Sequence, residues 1–157
     1  MTQNHFLQFP PGAEAELRTR FAAVAQREML GAAAAEALYA LAYQQVGQGQ
    51  FEQAADLLLV LTALRPLDAR FWLGLGVCAQ QGKRYTEAIG HYGTAALLDP
   101  DPAIGLKMVE CELLAGLGEQ ARLGLDSLID FCAAGPHLQA VGERAQAMRR
   151  MLDRGAD

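Results

Sequence analysis

Residues 72–100 read WLGLGVCAQQGKRYTEAIGHYGTAALLDP, and this stretch decides the fold. Its large and small residues follow a fixed spacing, set by Trp72, Leu75, Gly76, Ala79, Tyr85, Ala88, Tyr92, Ala95 and Pro100. The small residues let two helices cross closely, and Tyr92 fills the space between them. Because Pro100 cannot continue a helix and disfavours the helical conformation at Asp99, the second helix ends there. The stretch therefore predicts two packed helices joined by a turn at Gly82.

The same pattern recurs upstream at a shift of 34 residues. The matching pairs are Leu38 and Trp72, Leu41 and Leu75, Ala42 and Gly76, Phe51 and Tyr85, Ala54 and Ala88, Leu64 and Leu98, and Pro66 and Pro100. A helix–turn–helix unit with this period is the tetratricopeptide repeat. A third, less regular copy follows from Asp101 to about Ala134, with a one-residue shortening that we assign near Gly116. The sequence thus predicts an all-α tetratricopeptide-repeat solenoid of three helix-turn-helix repeats.

Both ends of the array are predicted to carry one further helix. The expected segments are a disordered N-terminus (1–12), an N-terminal helix (13–32), three repeats (33–134) and a C-terminal capping helix with a tail (135–157). Atypical end helices are expected because solenoid units bury their faces only by stacking. The last helix has an apolar stripe formed by Leu138, Val141, Ala145, Met148 and Leu152. Its arginines, Arg144, Arg149, Arg150 and Arg154, are predicted to form a solvated face.

The N-terminal helix also has an apolar side, and two interpretations of it stay open. It mediates self-association, which would give a homodimer, or it folds back on the first repeat.

The composition excludes several classes of function. Apolar residues make up 52% of the chain. No apolar run reaches the ~18 residues that span a bilayer, so we expect no membrane insertion. The net charge is −5 and the basic residues form no dense run, which disfavours nucleic acid as a partner. The three cysteines lack disulfide or metal spacing and the N-terminus lacks a signal-peptide pattern, so we expect a cytoplasmic protein.

Catalytic motifs are absent from the sequence. The three histidines, His5, His91 and His137, lie far apart and show no ligand spacing. Glu110 and Glu112 are two residues apart, which places them on different faces of a helix. We therefore predict no enzymatic activity, no metal and no cofactor.

The first helices of the repeats are expected to line a concave groove. Its predicted residues are Tyr39, Tyr43 and Val46 in the first repeat, Arg70, Leu73 and Val77 in the second, and Ile104 and Lys107 in the third. Arrays that bind a C-terminal carboxylate carry Lys, Arg and Asn at several of these places, so the apolar residues here disfavour that partner. Such residues can instead serve only the stacking of helices. An apolar line across two repeats favours a groove for an extended peptide.

Two runs of sequence resemble a known family. LYALAYQQVGQGQFEQA (38–54) and DARFWLGLGVCAQQGKRYTEAIGHY (68–92) are similar to the class II chaperones of bacterial type III secretion. The resemblance implies a cytoplasmic chaperone that binds an extended segment of a hydrophobic translocator protein in the concave groove. It also implies groove aromatics at Tyr39 and Tyr43, with Leu73 and Val77 beside them. Many members form homodimers through N-terminal helices.

A generic repeat scaffold without client-holding activity is the alternative hypothesis. The run from Arg70 to Cys78 separates the two, because generic tetratricopeptide repeats lack it. A small enzyme would need a site that the sequence does not show.

Overall fold

The computed structural model describes residues 31–154, and within this range every regular element is helical. The helices are α1 (31–47), α2 (Phe51–Leu64), α3 (Ala69–Gln81), α4 (Tyr85–Leu98), α5 (Pro102–Leu114), α6 (Gly118–Cys132) and α7 (Gln139–Arg154), with a short 3₁₀ helix at Pro136–Leu138. The predicted all-α fold is confirmed. Our expectations for residues 1–30 lie outside the described residues.

The chain divides into two compact units, Met1–Ala37 and Leu38–Asp157. Of the first unit, only the helical residues 31–37 are described. In the second unit each helix from α2 onward packs against the next one along the chain. The helix α7 packs on α6 and also contacts α5. This succession of neighbours is the stacking of a repeat solenoid.

The close crossing of α3 and α4 is built on one glycine and one tyrosine. A Cβ atom placed on Gly76 would lie 2.5 Å from Cδ1 of Tyr92, which no real side chain tolerates. The Tyr92 ring is fully buried and its hydroxyl donates a hydrogen bond to Oε1 of Gln80 at 2.6 Å. This burial raises the pKa of Tyr92. The crossing therefore depends on the small residue that the sequence spacing indicated.

The turns inside the three repeats share one backbone conformation but not one residue type. Gly49 and Gly116 have φ of 75° and 78°, in the left-handed region that glycine adopts without cost. In the second repeat the same place is held by Lys83, with φ of 59°. Gly82 stands one position earlier, with φ of −75°. The second repeat thus places a lysine in a conformation that side chains with a Cβ rarely adopt.

The third repeat is one residue shorter than the second, but the shortening is not near Gly116. Asp68 and Asp101 both cap the first helix of their repeat, and they are 33 residues apart. The second helices, which begin at Tyr85 and Gly118, keep the same offset. The missing residue lies in the loop between α4 and α5, which has three residues where the loop between α2 and α3 has four. The predicted position of the shortening is therefore wrong.

The helix α7 is held by apolar packing and by ion pairs. Its apolar face (Val141, Ala145, Met148 and Leu152) packs with Leu106, Val109, Ala121 and Leu125. Arg144 pairs with Glu110 of α5 at 2.6 Å. Arg149 pairs with Asp126 of α6 at 2.8 Å and also with Asp153 of its own helix. The prediction of a purely solvated arginine face is wrong for these two residues, and Leu138 lies in the 3₁₀ helix before α7.

Candidate peptide-binding groove

The groove residues of the first repeat lie on α1, one helical turn apart. Tyr39 is half-buried, whereas Tyr43 is 72% exposed. Val46, near the end of the same helix, is partly buried. Residues four apart share one face of a helix, so the two tyrosines point to the same side of α1. One of them is packed, and the other presents most of its ring to solvent.

The first and second repeats meet through stacked rings and a guanidinium group. The ring of Tyr39 lies 5.5 Å from that of Phe71, which is fully buried on α3. The Cζ atom of Arg70 lies 5.0 Å from the centre of the Tyr39 ring. Arg70 is in turn held by Asp68, whose carboxylate accepts bonds from Nε at 3.0 Å and from Nη2 at 2.7 Å. The structure therefore brings Tyr39 and Arg70 together, as the groove prediction requires.

Leu73 and Val77 continue the groove on α3. Both are partly buried, and their inner sides pack against the core between α3 and α4. Each leaves part of an apolar side chain accessible. They occupy the places that Tyr39 and Tyr43 occupy one repeat earlier, because α1 and α3 keep the 34-residue offset through their shared turn geometry.

Ile104 does not lie in the groove, and this prediction is wrong. Its side chain is only 4% exposed and belongs to the core cluster that contains Tyr92 and Cys111. With the 33-residue offset it is the equivalent of Phe71, also a core residue. Lys107 is exposed on α5 and is the equivalent of Gly74.

The true groove equivalents in the third repeat are Ala103, Leu106 and Glu110, which our sequence reasoning missed. They line a cavity of about 390 Å³ together with Lys107, Ala140, Val141 and Arg144. Leu106 is only 5% exposed, and Glu110 is paired with Arg144. Two cysteines carried the correct offset, since Cys78 and Cys111 are 33 residues apart and both fully buried.

Reactive chemistry is not what residues 31–154 offer. The three cysteines are buried free thiols, and burial raises the pKa of Cys78 and Cys111, which keeps both protonated at neutral pH. The carboxyl group of Glu112 is buried too, which raises its pKa, and its Oε2 has no hydrogen-bond partner in the described part of the chain. That range holds no cluster of His, Cys, Asp or Glu that could bind a metal. Nor does it contain a helix long and apolar enough to cross a membrane.

Comparison with known proteins agrees with this architecture. Residues 39–103 match the family model of the tetratricopeptide repeat. The low calcium response locus protein H of Yersinia pseudotuberculosis is 33% identical over 114 residues, which cover 72% of this chain and 68% of the relative.

Two solved structures are similar over most of the chain. PcrH, a Pseudomonas aeruginosa protein, was solved with the chaperone-binding region of PopD; it is 34% identical, with a TM-score of 0.71 over 78% of this chain and 92% of its own. The Yersinia enterocolitica type III secretion chaperone SycD was solved with a peptide of the translocator YopD. SycD is 31% identical, with a TM-score of 0.70 over 78% of this chain and 94% of its own.

Proposed function

Because the chain belongs to the class II chaperones of type III secretion, we propose that it holds a hydrophobic translocator protein in the bacterial cytoplasm. The client binds by an extended segment along the concave face of the repeats and is thereby kept from aggregating before secretion. The observation that carries this proposal is Tyr43, an aromatic ring 72% exposed on α1 beside the packed ring of Tyr39. An exposed ring next to a rigid one is the arrangement that a peptide-binding anchor needs.

The binding mode follows from the side chains that line the groove. Tyr39, Tyr43, Leu73 and Val77 offer apolar surface to alternate side chains of an extended peptide. The tyrosine hydroxyls add hydrogen bonds to the peptide backbone, since a tyrosine has both an apolar body and a polar tip. Support comes from the relatives, because PcrH is bound to segments of PopD and PopB, and SycD to a peptide of YopD.

The remaining groove residues are assigned secondary places. Val46 extends the apolar line toward the end of α1, and Lys107 stands at the lip of the cavity on α5. Ile104 is left out because it is a core residue. The proposal gives the protein no catalytic step, no cofactor and no nucleic-acid partner, in keeping with its net charge of −5.

Self-association is also part of the proposal. SycD was solved in an alternative dimer. We assign self-association of this chain to the predicted helix of residues 13–32, most of which lies outside the described residues. Folding of that helix on the first repeat is the competing arrangement, and it would leave a monomer.

Co-expression with translocators tests the function. We expect at least one of YopD, PopD and PopB to stay soluble and to co-purify with this chain, and sedimentation of the product gives the number of protomers. Leu97→Ser serves as a control, because Leu97 is an 88% exposed residue of α4 outside the groove and its change should leave co-purification intact. If all three translocators are insoluble whether or not the chain is present, the protein is a scaffold and not their chaperone.

A further inference from the structure

Asp68 has two separate tasks at the start of α3. Its Oδ1 accepts a hydrogen bond from the backbone N–H of Arg70 at 3.1 Å, which caps the helix. The same carboxylate holds the guanidinium of Arg70 in a two-point pairing, through Nε at 3.0 Å and Nη2 at 2.7 Å. The hydrogen bond from the Arg70 side chain is the main reason why the pKa of Asp68 is lowered. The carboxylate is therefore ionised throughout the neutral range.

The held guanidinium stands over two aromatic rings. Its Cζ is 5.0 Å from the ring centre of Tyr39 and 5.6 Å from that of Phe71, and these two rings are 5.5 Å apart. A planar guanidinium within about 6 Å of a ring is attracted to its face. The ring of Tyr39 is thus confined between a buried phenylalanine and a cation that is itself fixed.

The third repeat shows that the cap does not require the arginine. Asp101 caps α5 in the same way, accepting from the backbone N–H of Ala103 at 2.8 Å. Ala103 occupies the place of Arg70, so the aspartate there has only the capping task. The second repeat carries an additional pairing at the point where a groove tyrosine from the first repeat arrives.

We propose that Asp68 and Arg70 are positioning residues of the peptide groove, which fix the ring of Tyr39 in the orientation that the client meets. In this arrangement Arg70 acts through Tyr39 and not by touching the client. A ring already ordered in the free protein loses less conformational freedom on binding, which strengthens the complex. The inference deepens the proposed function, since it rests on Tyr39 being a contact of the client.

Fluorine spectroscopy of the free protein tests the positioning itself. The chain is labelled with 3-fluorotyrosine, which reports on its four tyrosines, and each resonance is assigned by a Tyr→Phe variant. Asp68→Asn keeps a capping oxygen but removes the charge that holds Arg70. We expect the Tyr39 resonance to shift or broaden in Asp68→Asn and the Tyr92 resonance to stay in place. The matched control Asp101→Asn should leave both unchanged. A Tyr39 resonance that is the same in Asp68→Asn and in the parent protein overturns the proposal.

A double-mutant cycle then tests whether Arg70 acts through Tyr39. The probe is the fluorescently labelled chaperone-binding region of PopD. Arg70→Lys keeps the charge but loses the planar fork, so we expect affinity to fall by about twofold to fivefold. In a Tyr39→Leu background the same change should leave affinity unaltered. An equal loss in both backgrounds would mean that Arg70 contacts the client directly, and the positioning role would be wrong.

The two arms separate this inference from the proposed function. If the parent protein does not bind the PopD segment, that result counts against the proposed function. The fluorine spectra of the free protein still decide whether Asp68 and Arg70 position the ring.

Discussion

Gly76→Leu is expected to unfold the second repeat. The Cβ alone would lie 2.5 Å from the Tyr92 ring, and the ring is enclosed by the fully buried Ala88 and Ala95 and cannot move aside. Overpacking at such a site costs about 1–3 kcal/mol, and a leucine adds three more carbons to the clash. Since the second repeat joins the first to the third, loss of most of the helical signal is expected. The measurement is circular dichroism during urea unfolding.

A glycine pair in the same helix pair gives the control. Gly76→Ala should lower the free energy of unfolding, whereas Gly90→Ala should raise it by about 0.5–1 kcal/mol. The reason for the opposite signs is space, because a Cβ on Gly90 of α4 meets no atom within 4 Å. If the two variants change stability in the same direction, the close crossing of α3 and α4 is not what selects glycine at position 76.

The double change Tyr39→Ala and Tyr43→Ala is expected to weaken client binding by about tenfold or more. Buried aromatic anchors cost about 2 kcal/mol or more when truncated, and 1.4 kcal/mol corresponds to a factor of ten. The measurement is the affinity for the labelled chaperone-binding region of PopD. Tyr43→Ala alone should leave the unfolding midpoint unchanged, since its ring is 72% exposed.

Tyr39→Ala should lower that midpoint, because it removes the ring stacked on Phe71. The control for both is Leu97→Ala, which deletes an equally apolar and more exposed side chain on α4. Unchanged affinity in the double variant, or unfolding caused by Tyr43→Ala alone, would show that the tyrosines are not client anchors.

The sequence was sufficient for the fold because the second repeat encodes its own packing. Gly76 and Tyr92 are the two sides of one contact, and both stand at their expected spacing. The apolar period does not encode loop length, and there the prediction failed. Each residue turns a helix by about 100°, so extending the 34-residue offset into a repeat with an offset of 33 moved Ile104 from the core to the groove on paper. The cysteine pair and the capping aspartates fixed the correct register.

Other features depend on contacts between distant segments and could not be predicted. The pairing of Arg144 with Glu110 joins residues from different repeats, and so does the stacking of Arg70 on Tyr39. The left-handed backbone at Lys83 is set by the turn and not by the residue that occupies it. The sequence therefore predicted which residues face the groove in the first two repeats, but not how Asp68 and Arg70 fix them.

Site-specific photocrosslinking tests most directly whether the translocator lies in this groove. p-Benzoylphenylalanine is placed at position 43 in the groove, or at position 97 on α4 as the control, in chain co-expressed with YopD. Both native side chains are largely exposed, so either photoprobe is accommodated without disturbing the core. We expect position 43 to crosslink to one short segment of YopD, and position 97 to give no crosslink to it. Crosslinks from position 97 alone, or from both positions alike, would contradict a client held in the concave groove.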